Sequence, residues 1–289
     1  MATTLTECQT LVDSISALFA QYVYEESRAA KFATMEYNST VVADAGTSTL
    51  NQVDANGAIQ TLAVNNQTAL TPSIAVARAN ASTRYLKAIL RPLAKTVADQ
   101  LDLLVLSLYS GFSTHAPVGA AGVALTEANY LLAVNTIAGN APFAADIAMV
   151  MKSSVSTAFP TIMQAAPLID AAKGQGVALG AILKARPTKF RGALLSHTPQ
   201  VVTTGSAPAT QNNLCFSRPA IASLTVAQTL TNDGSNVQAM STYNDAEGQA
   251  ILGIFVGLAY DGSDNQTVTF RARAAAKMNN AAWGHQVKA

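Results

Sequence analysis

Apolar residues recur every three or four positions near the start of the chain: Leu5, Cys8, Leu11, Val12, Ile15, Leu18, Phe19, Tyr22 and Val23. Side chains at this spacing share one face of an α-helix, so the pattern predicts an amphipathic helix over residues 5–31 whose stripe needs a partner. Candidate N-caps lie within residues 6–13. From residue 32 to 66 the texture changes to short Thr, Val and Asn-rich runs. Residues 39–43 and 58–64, joined by turn signals at Asp44, Gly46, Asp54 and Gly57, read as a long β-hairpin. Two strands alone are marginal in water, so such an excursion is expected to lie on something else.

A second helical stripe begins after Thr71 and Pro72, a pair suited to a helix start. Leu86, Ile89, Leu90, Leu93, Val97, Leu101, Leu104, Val105 and Leu108 carry it to about Tyr109, and Gly111 is the expected stop. At roughly 1.5 Å per residue this helix would be about 50 Å long, more than a compact domain of this size requires. Pro92 is expected to kink or split it, because the ring removes one backbone bond and crowds the preceding turn. Beyond a Gly and Ala-rich stretch at 115–122, residues 125–134 predict a helix capped by Thr126, 146–151 a buried strand and 153–164 a short helix. Residues 193–204, 215–229, 237–243, 251–260 and 266–273 predict further strands, with turn signals at Asp233-Gly234 and Asp261-Gly262. In the last run Val268, Phe270 and Ala272 alternate with Thr267, Thr269, Arg271 and Arg273, which predicts one buried and one wet face. The fold class is α+β.

Composition sharpens this picture. Hydrophobic residues make up 49% of the 289 and charged residues only 12%, about half the ordinary charged share of roughly 25%. Much surface must therefore be buried, in lipid or against other protein. No run approaches the roughly 18 uninterrupted apolar residues of a spanning helix. The excess is Ala, Val and Leu mixed with Ser, Thr and Asn, which favours large protein contacts and no membrane. Residues 1–6 show no basic leader with an apolar core, so export is not expected. Cys8 and Cys215 have neither zinc-ligand nor disulfide-framework spacing and suit a reducing compartment.

The net charge of +1 argues against a general nucleic-acid binder, yet the charges are unevenly placed. Residues 1–60 hold seven carboxylates (Glu7, Asp13, Glu25, Glu26, Glu36, Asp44, Asp54) against Arg28 and Lys31, a balance of −5. Residues 76–98 hold Arg78, Arg84, Lys87, Arg91 and Lys95 with no acid, a balance of +5. The two segments are either complementary subunit surfaces or two solvated faces.

Catalytic and metal chemistry finds no footing. His115, His197 and His285 have no second ligand type three or four positions away, and Ser196-His197 lacks a nucleophile-elbow setting. The glycines between Lys173 and Gly180 lack both the Walker lysine and the dinucleotide spacing, so loop glycines are the better reading and a phosphate cradle the alternative. Asp261 to Asn265 has the acidity of a calcium loop without its length or terminal Glu, so it reads as a hairpin turn. Lys184, Arg186, Lys189 and Arg191 cluster around Pro187. A phosphate contact, a subunit salt-bridge patch and a solvated loop are all open for them. No catalytic residue, metal site or cofactor is predicted.

The order of elements carries a resemblance. Ile74-Ala-Val-Ala-Arg-Ala-Asn80 and the run from Ala98 through Leu101, Asp102 and Leu106 to Gly111 are followed by Leu125-Thr-Glu-Ala-Asn129, by the strand over 146–153, and by the turn Arg191-Gly-Ala-Leu-Leu-Ser196. This succession resembles the major capsid proteins of tailed phages with the Hong Kong 97-type fold, over most of the chain. The resemblance implies an N-terminal arm at 1–31, an extended loop at 32–68, a peripheral domain with a spine helix at 69–115, an axial domain at 116–245, and a return to the periphery with a C-terminal tail at 246–289. It implies a non-enzymatic subunit, assembled in a host cytoplasm, that forms pentamers and hexamers of an icosahedral shell around double-stranded DNA held by weak contacts. Portal and scaffolding proteins and a decoration protein would be its partners. No scaffolding-like segment precedes the arm, so scaffolding is expected as a separate or removed piece, and no Asn partner or catalytic acid supports carrying over subunit cross-linking to Lys31. Glu25, Glu26, Glu36, Asp44 and Asp54 on one copy and Arg78, Arg84, Lys87, Arg91 and Lys95 on its neighbour are the expected interface. An encapsulin-like compartment or another self-assembling protein remains an alternative, as does an α/β enzyme that takes a phosphorylated ligand at 173–180.

Overall fold

A computed structural model describes residues 4–42, 48–53, 59–64, 66–141, 146–152, 188–190, 192–228 and 237–289. In chain order the elements are α1 (Leu5–Ser16), α2 (Phe19–Glu26), β1 (Thr34–Val42), β2 (Ser48–Val53), β3 (Ile59–Val64), β4 (Asn66–Leu70), β5 (Ser73–Ala75), α3 (Val76–Ala81), α4 (Thr83–Leu106) and α5 (Glu127–Asn140). Then follow β6 (Ile147–Lys152), β7 (Thr188–Phe190), β8 (Ala193–Thr198), β9 (Thr203–Thr204), β10 (Thr210–Ser217), β11 (Ile221–Gln228), β12 (Val237–Asn244), β13 (Ala250–Leu258), β14 (Asn265–Met278) and β15 (Gly284–Lys288). They form two compact units. One comprises Met1–Ser27, Met35–Leu101 and Ser223–Ala275, the other Arg28–Thr34, Asp102–Ala222 and Ala276–Ala289.

The first unit is built on a sheet ordered β1-β11-β14-β13-β12, with β4 and β5 also paired to β14. Helix α1 starts at a capping box: the Thr4 hydroxyl accepts the Glu7 N–H at 3.3 Å and the Glu7 carboxylate accepts the Thr4 N–H at 2.7 Å. The expected single helix over 5–31 is broken at residues 17–18, where the buried Ser241 hydroxyl bridges Ser16 and Ala20. Cys8, Leu11, Val12 and Ile15 of α1 and Phe19, Ala20, Tyr22 and Val23 of α2 are buried, and both helices pack on β12 and β13 of their own unit. Phe19 sets its ring centroid 4.3 Å from that of Phe270. Full burial contributes roughly 1.5–3 kcal/mol for each large apolar side chain, so the stripe is firmly held. The partner that the stripe needs is the chain's own sheet.

The helical region after Pro72 also differs from expectation. Residues Ser73–Ala75 pair with β14, Ser82 is extended (φ −140°, ψ 100°) and ends α3, and its hydroxyl accepts the Tyr85 N–H at 3.3 Å to start α4. The split therefore falls at Ser82, not at Pro92. Pro92 lies within α4 on its exposed side, where the carbonyl that its ring leaves unbonded can meet water. At roughly 1.5 Å per residue the 24 residues of α4 span about 36 Å.

Strands β2 and β3 pair only with each other among the described strands, from Ser48↔Val64 to Val53↔Ile59. The hairpin is thus formed by 48–53 and 59–64, while residues 39–42 belong to β1 and join the main sheet. On β14 the alternation holds through Arg271 but not beyond it: Arg273, expected on the wet face, is 4% exposed.

The second unit holds a sheet ordered β15-β10-β6-β8-β7, with β9 on β10 and with β6 parallel to β8. Strand β6 is buried as expected, and Thr126 caps α5 by accepting the Asn129 N–H at 3.2 Å. Pro219 sits in a short 3-10 turn, Arg218–Ala220, that divides the expected strand 215–229 into β10 and β11. The C-terminal residues form β15, a strand the sequence pattern did not reveal, paired with β10 from Phe216↔Gly284 to Asn212↔Lys288. Expected features at 153–164 and at Gly46, Gly57 and Asp233-Gly234 lie outside the described residues.

Candidate assembly surface

Helix α4 divides by periodicity into a buried stripe (Leu86, Leu90, Ala94, Val97, Ala98, Leu101) and an opposite exposed face. Arg84, Lys87, Arg91 and Lys95 recur at three or four positions, which places all four on that face, and all are exposed. Their cationic groups are not equally available. The Lys95 ammonium bonds Asp99 at 2.9 Å one turn on, so its charge is matched locally. Arg91 sets its guanidinium 5.5 Å from the ring centroid of Tyr22 in α2, and Arg78 sets its own 4.4 Å from that of Tyr85. Arg84 and Lys87 make no ion pair or ring contact among the described residues.

The acidic candidates are placed as follows. Glu25 is exposed at the end of α2 and accepts from the Gln21 side-chain amide at 2.8 Å. Glu26 is half-buried and Glu36 is exposed on β1. Asp44 and Asp54 lie outside the described residues. The Arg91–Tyr22 contact brings the acidic α2 and the basic α4 together within one chain. Part of the charge contrast read from the sequence is therefore internal.

Of the basic cluster at 184–191, the described part is the backbone of β7, which contains Lys189 and pairs Lys189↔Leu194 with β8. Lys184, Arg186, Arg191 and the glycine stretch 173–180 are outside the described residues. The Asp261 loop is a hairpin turn whose carboxylate is occupied by its own chain: Asp261 accepts the Ser263 N–H at 2.8 Å and the Gln266 side-chain amide at 2.7 Å. The Ser263 amide leads in holding that carboxyl below its ordinary range. Among the described residues no group of three or more His, Cys, Asp or Glu side chains could hold a metal ion. Both thiols are buried, and burial raises the affinity of each for its proton, most strongly at Cys215.

Two arrangements escaped the sequence reading. Asp102, fully buried, accepts the backbone N–H groups of Arg28 at 2.7 Å and of Ala29 and Ala30 at 2.8 Å each. His115 and His285, 170 positions apart in the chain, stack with ring centroids 5.5 Å apart and planes 14° apart. No local spacing signals either one; a lone Asp within an apolar helical run was the available hint for the first.

No family model and no curated protein matches the sequence. Solved structures do match. A virus-like particle from Pyrococcus furiosus aligns over 96% of this chain and 98% of that one, at 9% identity and a TM-score of 0.50. The holo-SrpI encapsulin complex of Synechococcus elongatus aligns over 88% and 84% at 9% identity with a TM-score of 0.48. The mature capsid of bacteriophage PhiM1 aligns over 89% and 85% at 12% identity with a TM-score of 0.46. The chain has the α+β Hong Kong 97-type capsid fold.

Proposed function

We propose that this chain is the major capsid protein of a tailed phage, a non-enzymatic subunit that assembles through pentamers and hexamers into an icosahedral shell around double-stranded DNA. The observation that carries this reading is the fold shared with the virus-like particle over nearly the whole of both chains. Two features of the molecule support it. The hairpin β2–β3 pairs only with itself among the described strands, which leaves it available to lie on a neighbour. The exposed face of α4 carries Arg84 and Lys87 without counter-ions of their own among the described residues.

In this reading the hairpin and β1, with Glu36, Asp44 and Asp54, meet the basic face of a neighbouring α4. Glu25, Glu26, Arg78, Arg91 and Lys95 flank the contact. Exposed ion pairs are worth roughly 0–1 kcal/mol each, so charge sets register while apolar burial supplies affinity. The axial assignment for residues 116–245 and the assembly partners (portal, scaffolding, decoration protein) belong to the same proposal, as does assembly in a host cytoplasm. No helix among the described residues is long and apolar enough to cross a membrane.

Size-exclusion chromatography and negative-stain microscopy of the expressed chain test it. Hollow particles of uniform diameter are expected, and a monodisperse monomer or small oligomer would overturn the reading. Nuclease-protected DNA in particles from the native source separates a phage capsid from an encapsulin-like compartment, which would hold protein instead.

A further inference from the structure

Residues 111–118 run along β15 as a strap, and the two are joined at three places. A Cβ at residue 284 would overlap the Phe112 ring, so that ring packs directly against the Gly284 backbone. His115 stacks on His285. Val118 closes the far end: its N–H donates to the Gln286 carbonyl at 3.1 Å and its carbonyl accepts the Lys288 N–H at 2.7 Å. The imidazole pair stands in the middle of this closure and has no part in the assembly reading.

Both rings are placed by backbone carbonyls. His115 Nε2 lies 3.2 Å from the Ala282 carbonyl and His285 Nδ1 lies 3.1 Å from the Gln286 carbonyl, so each of these nitrogens carries a proton and donates it. Each ring is satisfied in its neutral form. His285 is 3% exposed.

We propose that the His115–His285 stack is an acid-sensitive clasp: the neutral, buried ring of His285 holds the strap on β15 through His115, and a proton on His285 releases the strap and frees the C-terminal strand's outer edge. The elements packed around the pair bring few ionisable groups. Strand β10 sets the buried thiol of Cys215 opposite His285. Helix α5 brings a half-buried Glu127 and a buried Tyr130, the 3-10 turn at Ser107–Gly111 brings Tyr109, and β15 ends in Lys288. Burial is the largest influence on His285 and lowers its proton affinity; the Gln286 carbonyl acts against this, and His115 adds to the lowering. A released strand therefore binds the proton before the docked one does. The clasp is at full strength above the ordinary histidine range, near 6.5, and weakens as pH falls through that range.

Hydrogen–deuterium exchange of the full chain at pH 7.5 and 5.5, corrected for intrinsic rates, tests this. Protection of the Val118 and Lys288 amides should fall at least tenfold at the lower pH while β13 amides hold theirs within twofold. Equal protection of those two amides at both pH values would overturn the clasp. The His115→Asn/His285→Asn variant should lose the pH dependence, and its persistence would assign the effect to another group. Because His285 is buried, His115→Phe provides an arm that keeps a ring on the stack and takes away the imidazole that lowers the proton affinity of His285. It should move the release midpoint to higher pH, and an unmoved midpoint would count against the pair as the sensor.

Discussion

Ser241 donates its hydroxyl to the backbone carbonyl of Ser16 at 2.6 Å, across 225 positions of sequence. The same oxygen accepts the Ala20 N–H at 3.0 Å. Ser16 and Ala20 are four apart, so one side chain from β12 takes the place of the helical bond that would otherwise join α1 to α2. Ser241 is fully buried. Ser241→Ala should leave a carbonyl and an N–H without partners in the interior, at about 1–3 kcal/mol for each group so stranded. Calorimetry should show a melting temperature lower by at least several degrees, since about 2–4 °C accompanies each kcal/mol in a domain of 150–250 residues. A variant as stable as the parent would mean that the hydroxyl is not the bridge.

Asp102 concentrates a different kind of dependence. Three consecutive amides, Arg28 to Ala30, converge on one fully buried carboxylate. Charge-assisted bonds of this type contribute more than neutral ones, and the donors would be left buried without it. Asp102→Ala is expected to cost on the order of 3 kcal/mol or more. Asp102→Asn, which keeps one acceptor oxygen in nearly the same shape, should cost clearly less. Chemical denaturation of both variants reads the difference, and equal midpoints would remove the carboxylate from its role as anchor of residues 28–30.

Glycines in strands report close approach where a side chain would collide. At Gly253 in β13 a Cβ would run into the Tyr37 ring of β1. Gly253→Ala should therefore destabilise the first unit by roughly 1–3 kcal/mol through overpacking. Pairing it with Tyr37→Leu should recover part of that loss, because the ring is what the new methyl meets. Additive losses in the double variant, measured as a mutant cycle by thermal denaturation, would place the strain elsewhere.

What could be read ahead of the structure follows from how far each signal reaches along the chain. The Thr126 cap with Glu127 and Asn129 is local, and α5 begins where that triplet predicts. The unbroken apolar run at Ile147–Met151 is likewise sufficient for a buried strand. The α1–α2 break was not legible, because the residues on both sides keep helical periodicity and the bridging hydroxyl comes from β12. Ser82 splits α3 from α4 where Pro92 had the stronger local signal, since an exposed proline can be carried within a helix while a serine that caps the next helix ends the previous one. Strand β15 is short, contains a Gly and a His, and owes its placement to β10 and to Val118. Of the charged stripes, the exposure of Arg84 and Lys87 was legible from spacing. That Lys95, Arg91 and Arg78 are engaged within the chain was visible only once Asp99, Tyr22 and Tyr85 had positions.

The burial of both thiols makes a direct chemical prediction. Cys215 is fully buried in β10, and burial, with Glu7 and Asp261 nearby, also raises the proton affinity of Cys8. The reactive thiolate is scarce at each site. Incubation of the native protein with N-ethylmaleimide at pH 7.5 should leave its mass unchanged over the time in which a denatured sample gains two adducts. Rapid single labelling of the native chain would show that one of these sites opens on its own.

Charge reversal on α4 separates assembly from folding. Arg84 and Lys87 are exposed and have no ion-pair partner among the described residues, so Arg84→Glu/Lys87→Glu breaks no ion pair among them. Surface substitutions of this kind change stability by about 0.5 kcal/mol or less, so the melting temperature of the isolated subunit should move little. In the proposed contact between copies the effect should be larger, because attractive positions become repulsive ones in every copy of a repeated contact. The yield of particles at moderate salt should fall several-fold, and raising the salt should restore part of it by screening the new repulsion. Undiminished assembly of the double reversal would remove this face of α4 from the proposed interface and leave the hairpin to find its partner elsewhere.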